Sequence, residues 1–217
     1  MPVLNEAEGI QPTLQALAGV RQRGAELIVV DGGSNDDTVA LAGPYADQVL
    51  SSARGRARQM NAGARLARGE VLLFLHADTQ LPPAADEVIA SALSAGATWG
   101  RFDVHISGRP RMLRVVAALM NLRSRITGVA TGDQAIFVSR SVFEAVQGYP
   151  DQPLMEDIEL SRRLRRVAPP VCLRARVTTS GRRWETRGVW RTIWLMWRLR
   201  WRYWRGESAA VLAEVYR

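Results

Sequence analysis

The sequence predicts an α/β fold, a mainly parallel sheet flanked by helices, on three observations. Short apolar runs alternate with stretches of helical periodicity through the first two thirds of the chain, the pattern of strand-helix-strand units. Two of those runs, ELIVVD (26–31) and LLFLHAD (72–78), end on a carboxylate, at the carboxyl ends of strands where open α/β sheets bind ligands. The 217 residues, 47% of them hydrophobic and free of repeats or low-complexity tracts, suffice for one α/β domain or two small ones with a substantial core.

Met1-Pro2-Val3 stands where the first strand of such a domain would finish. Either the body of that strand is missing from this sequence or another segment fills its place. Ile10, Leu14, Leu17 and Val20 recur at helical spacing, and Glu26 to Asp31 is a short continuous apolar strand closed by an acid. Ser34 is placed to cap a short helix through Thr38 and Leu41. A helix over Arg56 to Arg68 precedes the strand Val71 to Leu75, and the prolines at 82 and 83 suit the first turn of the next helix. A strand from Thr98 to Ile106, a helix from Pro110 to Arg125, a strand Ala135 to Val138, a helix Glu156 to Arg166 and a strand Val171 to Thr178 follow. Val189 to Tyr216 reads as helical.

Composition narrows the function classes. No window reaches the 18 or so uninterrupted apolar residues of a membrane-spanning helix, and the N-terminus lacks the pattern of a signal peptide, so a cytoplasmic location is expected. The single cysteine, Cys172, forbids an intrachain disulfide and reads as a small buried hydrophobe. All 29 cationic residues are arginine against 21 acids, a net charge of +8. That excess favours an anionic partner: a phosphate-bearing substrate, an anionic lipid surface or nucleic acid.

Taken alone, each strand-end acid reads equally as a cap. In order, P-V-L-N-E (2–6), V-V-D-G-G-S-N-D-D-T (29–38), G-R-A-R-Q-M-N-A-G-A (55–64) and F-L-H-A-D-T (74–79) resemble the nucleotide-sugar half of family 2 glycosyltransferases. The resemblance covers nearly the whole chain, and is nearest to small stand-alone bacterial members with H-A-D-T and a later S-G-R-R-W-E stretch. It implies the GT-A fold, a Rossmann-like sheet, with a donor half over about 1–100 and an acceptor half over about 101–187. Residues 188–217 form a C-terminal amphipathic segment beyond it. It also implies inverting transfer from a nucleoside diphosphate sugar, UDP-type, to a hydroxyl acceptor.

By position, the resemblance implies that Pro2, Leu4, Asn5, Glu6 and Asp31 line the base and ribose pocket, with Gly33 and Ser34 in the adjoining loop. Arg56 and Asn61 would lie near the nucleotide, as would His76 and Ala77. Asp78 corresponds to the last acid of the family's D-x-D signature and would hold Mg²⁺ or Mn²⁺, while His76 replaces the first acid. A hard cation that keeps several waters can manage with one carboxylate and a diphosphate. His76 reads otherwise as a polar residue closing a strand.

An acceptor hydroxyl needs a general base. Met155-Glu156-Asp157 matches the family's E-D motif, which implies Asp157 as base and Glu156 as its alternate or as an acceptor contact. Acids in a helix's first turn also simply complement its dipole. Asp133 and Gln134, before the strand AIFV, match the floor of the sugar and acceptor pocket. Arg182, Arg183 and Trp184 fall where related enzymes contact diphosphate or acceptor, and guanidinium forks suit phosphate; a solvated basic loop is the other reading.

In VWRTIWLMWRLRWRYWR (189–205) five tryptophans, Trp190, Trp194, Trp197, Trp201 and Trp204, repeat at spacings of four and three, an arc of roughly 80° on a helix at about 100° per residue. Leu195, Met196, Leu199 and Tyr203 occupy a further sector. Trp at the water-lipid boundary and Arg facing anionic headgroups give one reading, a helix lying peripherally on the inner face of the membrane with a lipid-linked acceptor; a Trp stripe packed as core gives the other. Rival functions are a catalytically inactive scaffolding module and, against the clustered acids and the lack of any motif, nucleic-acid binding. No nucleic-acid partner is expected. Nucleotidyl transfer lacks the G-x-G-x-R loop it would need.

Overall fold

A computed structural model describes residues 1–216. Among them are eight strands: β1 (Pro2–Val3), β2 (Ile28–Asp31), β3 (Gln48–Ser51), β4 (Val71–Phe74), β5 (Thr79–Gln80), β6 (Trp99–Ser107), β7 (Ile136–Ser139) and β8 (Val171–Ser180). The first sheet has the order β1-β2-β3, all parallel, with Val3 level with Asp31 and Asp31 level with Ser51. The second has the order β4-β7-β6-β8-β5, in which β6 and β8 run parallel and the other neighbours antiparallel. Parallel pairing thus covers the whole first sheet and, in the second, the β6–β8 pair alone. β5 follows β4 after too few residues for the crossover a parallel neighbour needs, and it pairs instead at the far edge with β8.

The predicted elements are present with shifted ends. The periodicity from Ile10 to Val20 becomes two helices, Ala7–Gln15 and Ala18–Gln22, with Ile10, Leu14 and Leu17 buried. Ser34 does not cap the next helix, which starts at Thr38; its hydroxyl turns back to Asp31, and Asp36 accepts the Thr38 amide. Pro82 and Pro83 lie before the helix Ala85–Ser94 rather than in its first turn. The terminal helical stretch divides into Val189–Trp204 and Ala209–Tyr216 around Gly206, whose φ of +91° ends the first helix. Cys172 is half-buried rather than buried.

No other segment among the described residues takes the place of the first strand: Pro2–Val3 pairs with β2 alone. The Met1 ammonium donates to the Ile28 carbonyl at 2.7 Å, and burial lowers it to about 5. Beside it lies an apolar cavity of about 410 Å³ lined by Met1, Ile28, Val30, Met60, Leu72 and Phe74. None of the expected site residues lines that cavity.

The core that positions the site runs from the first helix through Val29 to Phe102, Val104 and Ile106 of β6 and on to Leu113, Val116 and Ala117 of the helix Met112–Thr127. β6 is buried over its first six residues, Arg101 and Asp103 included. The guanidinium of Arg101 donates to Asp103, to Ser124 Oγ (3.0 Å) and to the Asn121 carbonyl (3.1 Å), so a fully buried cation is compensated. Asn121 also brackets Val104, donating to its carbonyl and accepting its amide. These bonds fix the helix Met112–Thr127 against β6, and with it the wall that the helix gives to the site.

Candidate active site

The residues expected on the donor side sit at three strand ends. After β2, Asp31 is 4% exposed and accepts the Gly33 amide at 2.9 Å, the Ser34 amide at 3.0 Å and the Ser34 hydroxyl. The turn needs Gly33 at φ +92°, a conformation that side chains resist. Ser34 Oγ in turn accepts the amide of Asn5, and Asn5 Oδ1 accepts the amide of Asn35. Asn5, Ser34 and Asp31 are therefore one hydrogen-bonded rim, with Asn5 itself at φ +53°, a strained backbone of the kind found at ligand sites. Gln59 sits beneath, donating to the Val3 and Val30 carbonyls at 2.8 Å each, and ties β1 to β2.

After β4, His76-Ala77-Asp78-Thr79 closes as a turn in which the Thr79 amide donates to the His76 carbonyl at 3.1 Å. Ala77 is buried and its carbonyl accepts from Thr13. Asp78 points out: its side chain is exposed, its carbonyl accepts the Ser180 amide, and Thr79 Oγ1 donates to its carboxylate at 3.2 Å. Across from it stands Glu6, raised above its ordinary value by burial and by the charges of Asp78 and Asp36, with Arg182 at 3.8 Å working the other way.

A cavity of about 230 Å³ brings together Arg56, His76, Asp133, Asp157, Arg183 and Trp184. Asp157 opens the helix Glu156–Arg165 after Met155 at φ +63°. One of its oxygens accepts the Gly132 amide (2.9 Å) and the other its neighbour's Ile158 amide (2.8 Å), so the carboxylate is held at a helix start. Gly132 has no room for a side chain: a Cβ there would lie 2.3 Å from the His76 ring. His76 Nδ1 is 3.6 Å from Asp133. Burial opposes charge on Asp133, but His76, Arg56 and Arg183 outweigh it and hold its carboxyl below the usual range. Burial likewise opposes charge on Arg56, and Glu156, Asp157, Asp133 and Asp78 more than offset it.

Several expected residues make contacts within the fold. Glu156 is 3% exposed, bonded to Arg56 at 2.9 Å, with its second oxygen unpartnered and its carboxyl raised by burial. Asn61 spends its amide on the backbone of Tyr149. Gln134 closes the turn Gly132–Gln134 onto Thr131 and reaches Asn121. Pro2 is buried in β1. Arg182 is 65% exposed, whereas Arg183 stacks on Tyr216 at 4.8 Å. Arg123, Asn121 and Gln59 are the residues that sequence reading missed; each sits in an ordinary helical pattern, and only its partner across the fold distinguishes it.

The tryptophan stripe is not core. Trp190, Trp194, Trp197, Trp201 and Trp204 are 58–74% exposed, while Leu199 is fully buried and Leu195, Met196 and Tyr203 pack with it against Leu154, Met155, Ile158 and Leu212. Arg198 and Arg205 lie over Trp194 and Trp201 at 5.3 and 5.1 Å. Among the described residues no helix is long and apolar enough to cross a membrane.

Residues 1–143 match the family model "Glycosyl transferase family 2". An uncharacterized glycosyltransferase of Mycobacterium tuberculosis is 31% identical over 184 residues, 78% of this chain and 69% of the relative. Among solved structures, S. aureus TarS in complex with UDP superposes with a TM-score of 0.66 at 17% identity, over 82% of this chain and 58% of that one. Glucosyl-3-phosphoglycerate synthase from M. tuberculosis, in complex with Mn²⁺ and UDP-glucose, gives 0.60 at 17%, over 82% and 67%. The chain thus spans roughly three fifths of the TarS structure that it matches, and shares the GT-A fold of these neighbours. With the matched segment carrying the Asn5–Asp31 rim, the H-A-D-T turn and the Gly132–Gln134 turn of the cavity, the chain belongs to glycosyl transferase family 2.

Proposed function

We propose that this chain is an inverting, metal-dependent glycosyltransferase that moves a sugar from a UDP-type nucleoside diphosphate sugar to a hydroxyl on a lipid-linked acceptor. The observation that carries the reading is the meeting of Asp157, Asp133, His76, Arg56 and Arg183 in one cavity, with Asp78 close enough that its charge acts on both Arg56 and Arg183. In a single displacement the acceptor oxygen bonds to the sugar C1 as the C1–phosphate oxygen bond breaks, and the configuration inverts. Asp157 takes the hydroxyl proton: its two backbone hydrogen bonds orient the carboxylate and leave a lone pair on each oxygen. Arg183 and Arg56 face the negative charge that grows on the diphosphate.

Asp78 fits a divalent cation: it is an exposed oxygen donor, and among the described residues no group of three His, Cys, Asp or Glu could cage an ion unaided. Phosphate oxygens of the donor and water would have to supply its other ligands, which Mg²⁺ and Mn²⁺ accept. When bound, the ion would add positive charge beside the leaving diphosphate. The UDP and the UDP-glucose with Mn²⁺ in two structural neighbours support this donor reading. The test is thermal stabilisation by UDP with Mn²⁺, followed by a panel of nucleotide sugars scored for nucleoside diphosphate release. UDP with Mn²⁺ is expected to raise the melting temperature, because it binds the native state alone; a catalytically inactive scaffold without a donor site would show neither shift nor release.

The peripheral membrane reading rests on the outward tryptophans. At about 150–250 Å² per aromatic side chain and the exposures above, the five present on the order of 500–850 Å², at or beyond the roughly 300–600 Å² of the largest patch on an ordinary monomer. Interleaved arginines match anionic headgroups. Vesicles with anionic lipid are expected to retain the wild type, and the triple variant Trp194→Ala, Trp197→Ala, Trp201→Ala to bind at least tenfold more weakly. Equal retention of the two proteins would remove the membrane role.

A further inference from the structure

We infer that the acceptor taken by the 230 Å³ cavity is an anionic amphiphile, an apolar chain that carries a phosphate or carboxylate near the hydroxyl to be glycosylated. The inference rests on the reading of this cavity as the acceptor site and adds the class of molecule that fills it.

The first observation is Arg123, which lines the cavity with Nε and Nη2 buried and without a hydrogen-bond partner. Buried guanidinium nitrogens left unpaired are costly, and natural sites compensate such groups. Of the cavity's other cations, Arg56 bonds to Glu156 and Arg183 stacks on Tyr216, and Arg200 completes the basic lining. Asp157 acts on Arg123 through its charge but makes no hydrogen bond with its two buried nitrogens. An anionic group on the incoming molecule would satisfy both buried nitrogens, and a planar fork is suited to phosphate or carboxylate.

The second observation is the wall. Val116, Leu119 and Met120 from the helix Met112–Thr127 face Ile193, Met196 and Trp197 from the helix Val189–Trp204. A free sugar or a small polar anion has no use for such walls, whereas an alkyl or prenyl chain removes them from water at about 25 cal/mol per Å².

The third is the mouth. Leu119 and Trp197 line the cavity and are nevertheless 57% and 74% exposed. Leu119 belongs to an outer stripe, Val115, Leu119, Leu122 and Ile126, each 49–75% exposed at spacings of four, three and four. The cavity thus opens between two exposed apolar helix faces, so a chain longer than the cavity stays covered as it leaves. Polar walls would be needed for a neutral oligosaccharide, and an unpartnered cation would be a liability for an uncharged lipid.

Octyl phosphate below its micelle concentration is the probe, with 1-octanol and inorganic phosphate as counter-probes, each titrated calorimetrically into wild type, Arg123→Gln and Leu119→Gln. Octyl phosphate is expected to bind at least tenfold more tightly than either counter-probe. Arg123→Gln should reduce it to the level of 1-octanol, and Leu119→Gln, at an exposed position that does not bear on folding, should weaken it severalfold. Equal binding of 1-octanol, undiminished binding by both variants, or no binding of octyl phosphate would overturn the inference. Stabilisation by UDP with Mn²⁺ is measured on the same samples. Octyl phosphate binding without that stabilisation would count against the donor reading alone, and the converse against the amphiphile alone.

Discussion

Asp157→Asn is expected to leave the protein folded and able to bind donor, and to lower the release of UDP from its nucleotide sugar by a factor of about 10² to 10⁴, the usual worth of a positioned general base. That loss corresponds to roughly 3–5 kcal/mol of barrier. The amide oxygen of Asn can still accept the Gly132 or Ile158 amide, so the turn that carries Asp133 stays in place, while an amide cannot take the hydroxyl proton. Stabilisation by UDP with Mn²⁺ should match the wild type, since Asp157 lines the 230 Å³ cavity at a helix start, whereas Asp78 follows the strand β4 and does not line it. Asp133→Asn is the control. Asp133 shares the cavity but is engaged with His76 and held in its charged form by the surrounding cations. If Asp157→Asn kept full turnover and Asp133→Asn lost it, the base would be Asp133. Glu156 is a poorer base than its place in the motif implies, because it is buried against Arg56 and does not line the cavity.

The parts of this site legible in the sequence are those made by chain ends of strands and starts of helices. ELIVVD and LLFLHAD each deliver a carboxylate through local backbone alone, and MEDIEL delivers Asp157 as the helix begins, so order and residue type sufficed. What the sequence concealed depends on contacts between distant segments. Asn61 and Gln134 sit inside matched motifs yet spend their amides on Tyr149 and Asn121, and nothing local distinguishes an amide that faces a ligand from one that braces a loop. Arg123 lies three residues beyond Met120 on a helix whose pattern marks it as a surface arginine; its place in the cavity wall, with two nitrogens buried and unpaired, gives it a role. β3 and β5 are two to four residues long, and their pairing across the fold defines them. The tryptophan stripe had two readings at equal standing, and the packing of Leu199 and its neighbours chose between them.

Asp78→Ala is expected to lose the Mn²⁺-dependent part of the stabilisation by UDP while the unliganded protein melts as before. The side chain is exposed, and Thr79 Oγ1, its one hydrogen-bonding neighbour among the described residues, keeps Thr179 as a partner; the turn is held by the Asp78 carbonyl and the Ser180 amide, which the substitution does not touch. A surface change of this kind stays within about 0.5 kcal/mol. The ligand effect is larger: at a hundred times its dissociation constant UDP with Mn²⁺ contributes about 2.7 kcal/mol, which for a chain of this length shifts melting by about 5–10 °C. The loss is therefore well separated from any effect on folding. Asp31→Ala would be a poor substitute, since Asp31 holds the Gly33 and Ser34 amides and its removal dismantles the rim itself. The single-acid site also makes a sharp demand. With His76 where a second carboxylate would stand, Glu6 is the neighbouring carboxylate on the β1 side that could replace it, and Glu6 is held above its ordinary value by burial and by Asp78 itself. A Mn²⁺-dependent shift that survived Asp78→Ala but disappeared in Asp78→Ala/Glu6→Gln would place the ion on the β1 side of the cleft, and one that survived both would mean that no carboxylate of this rim holds it.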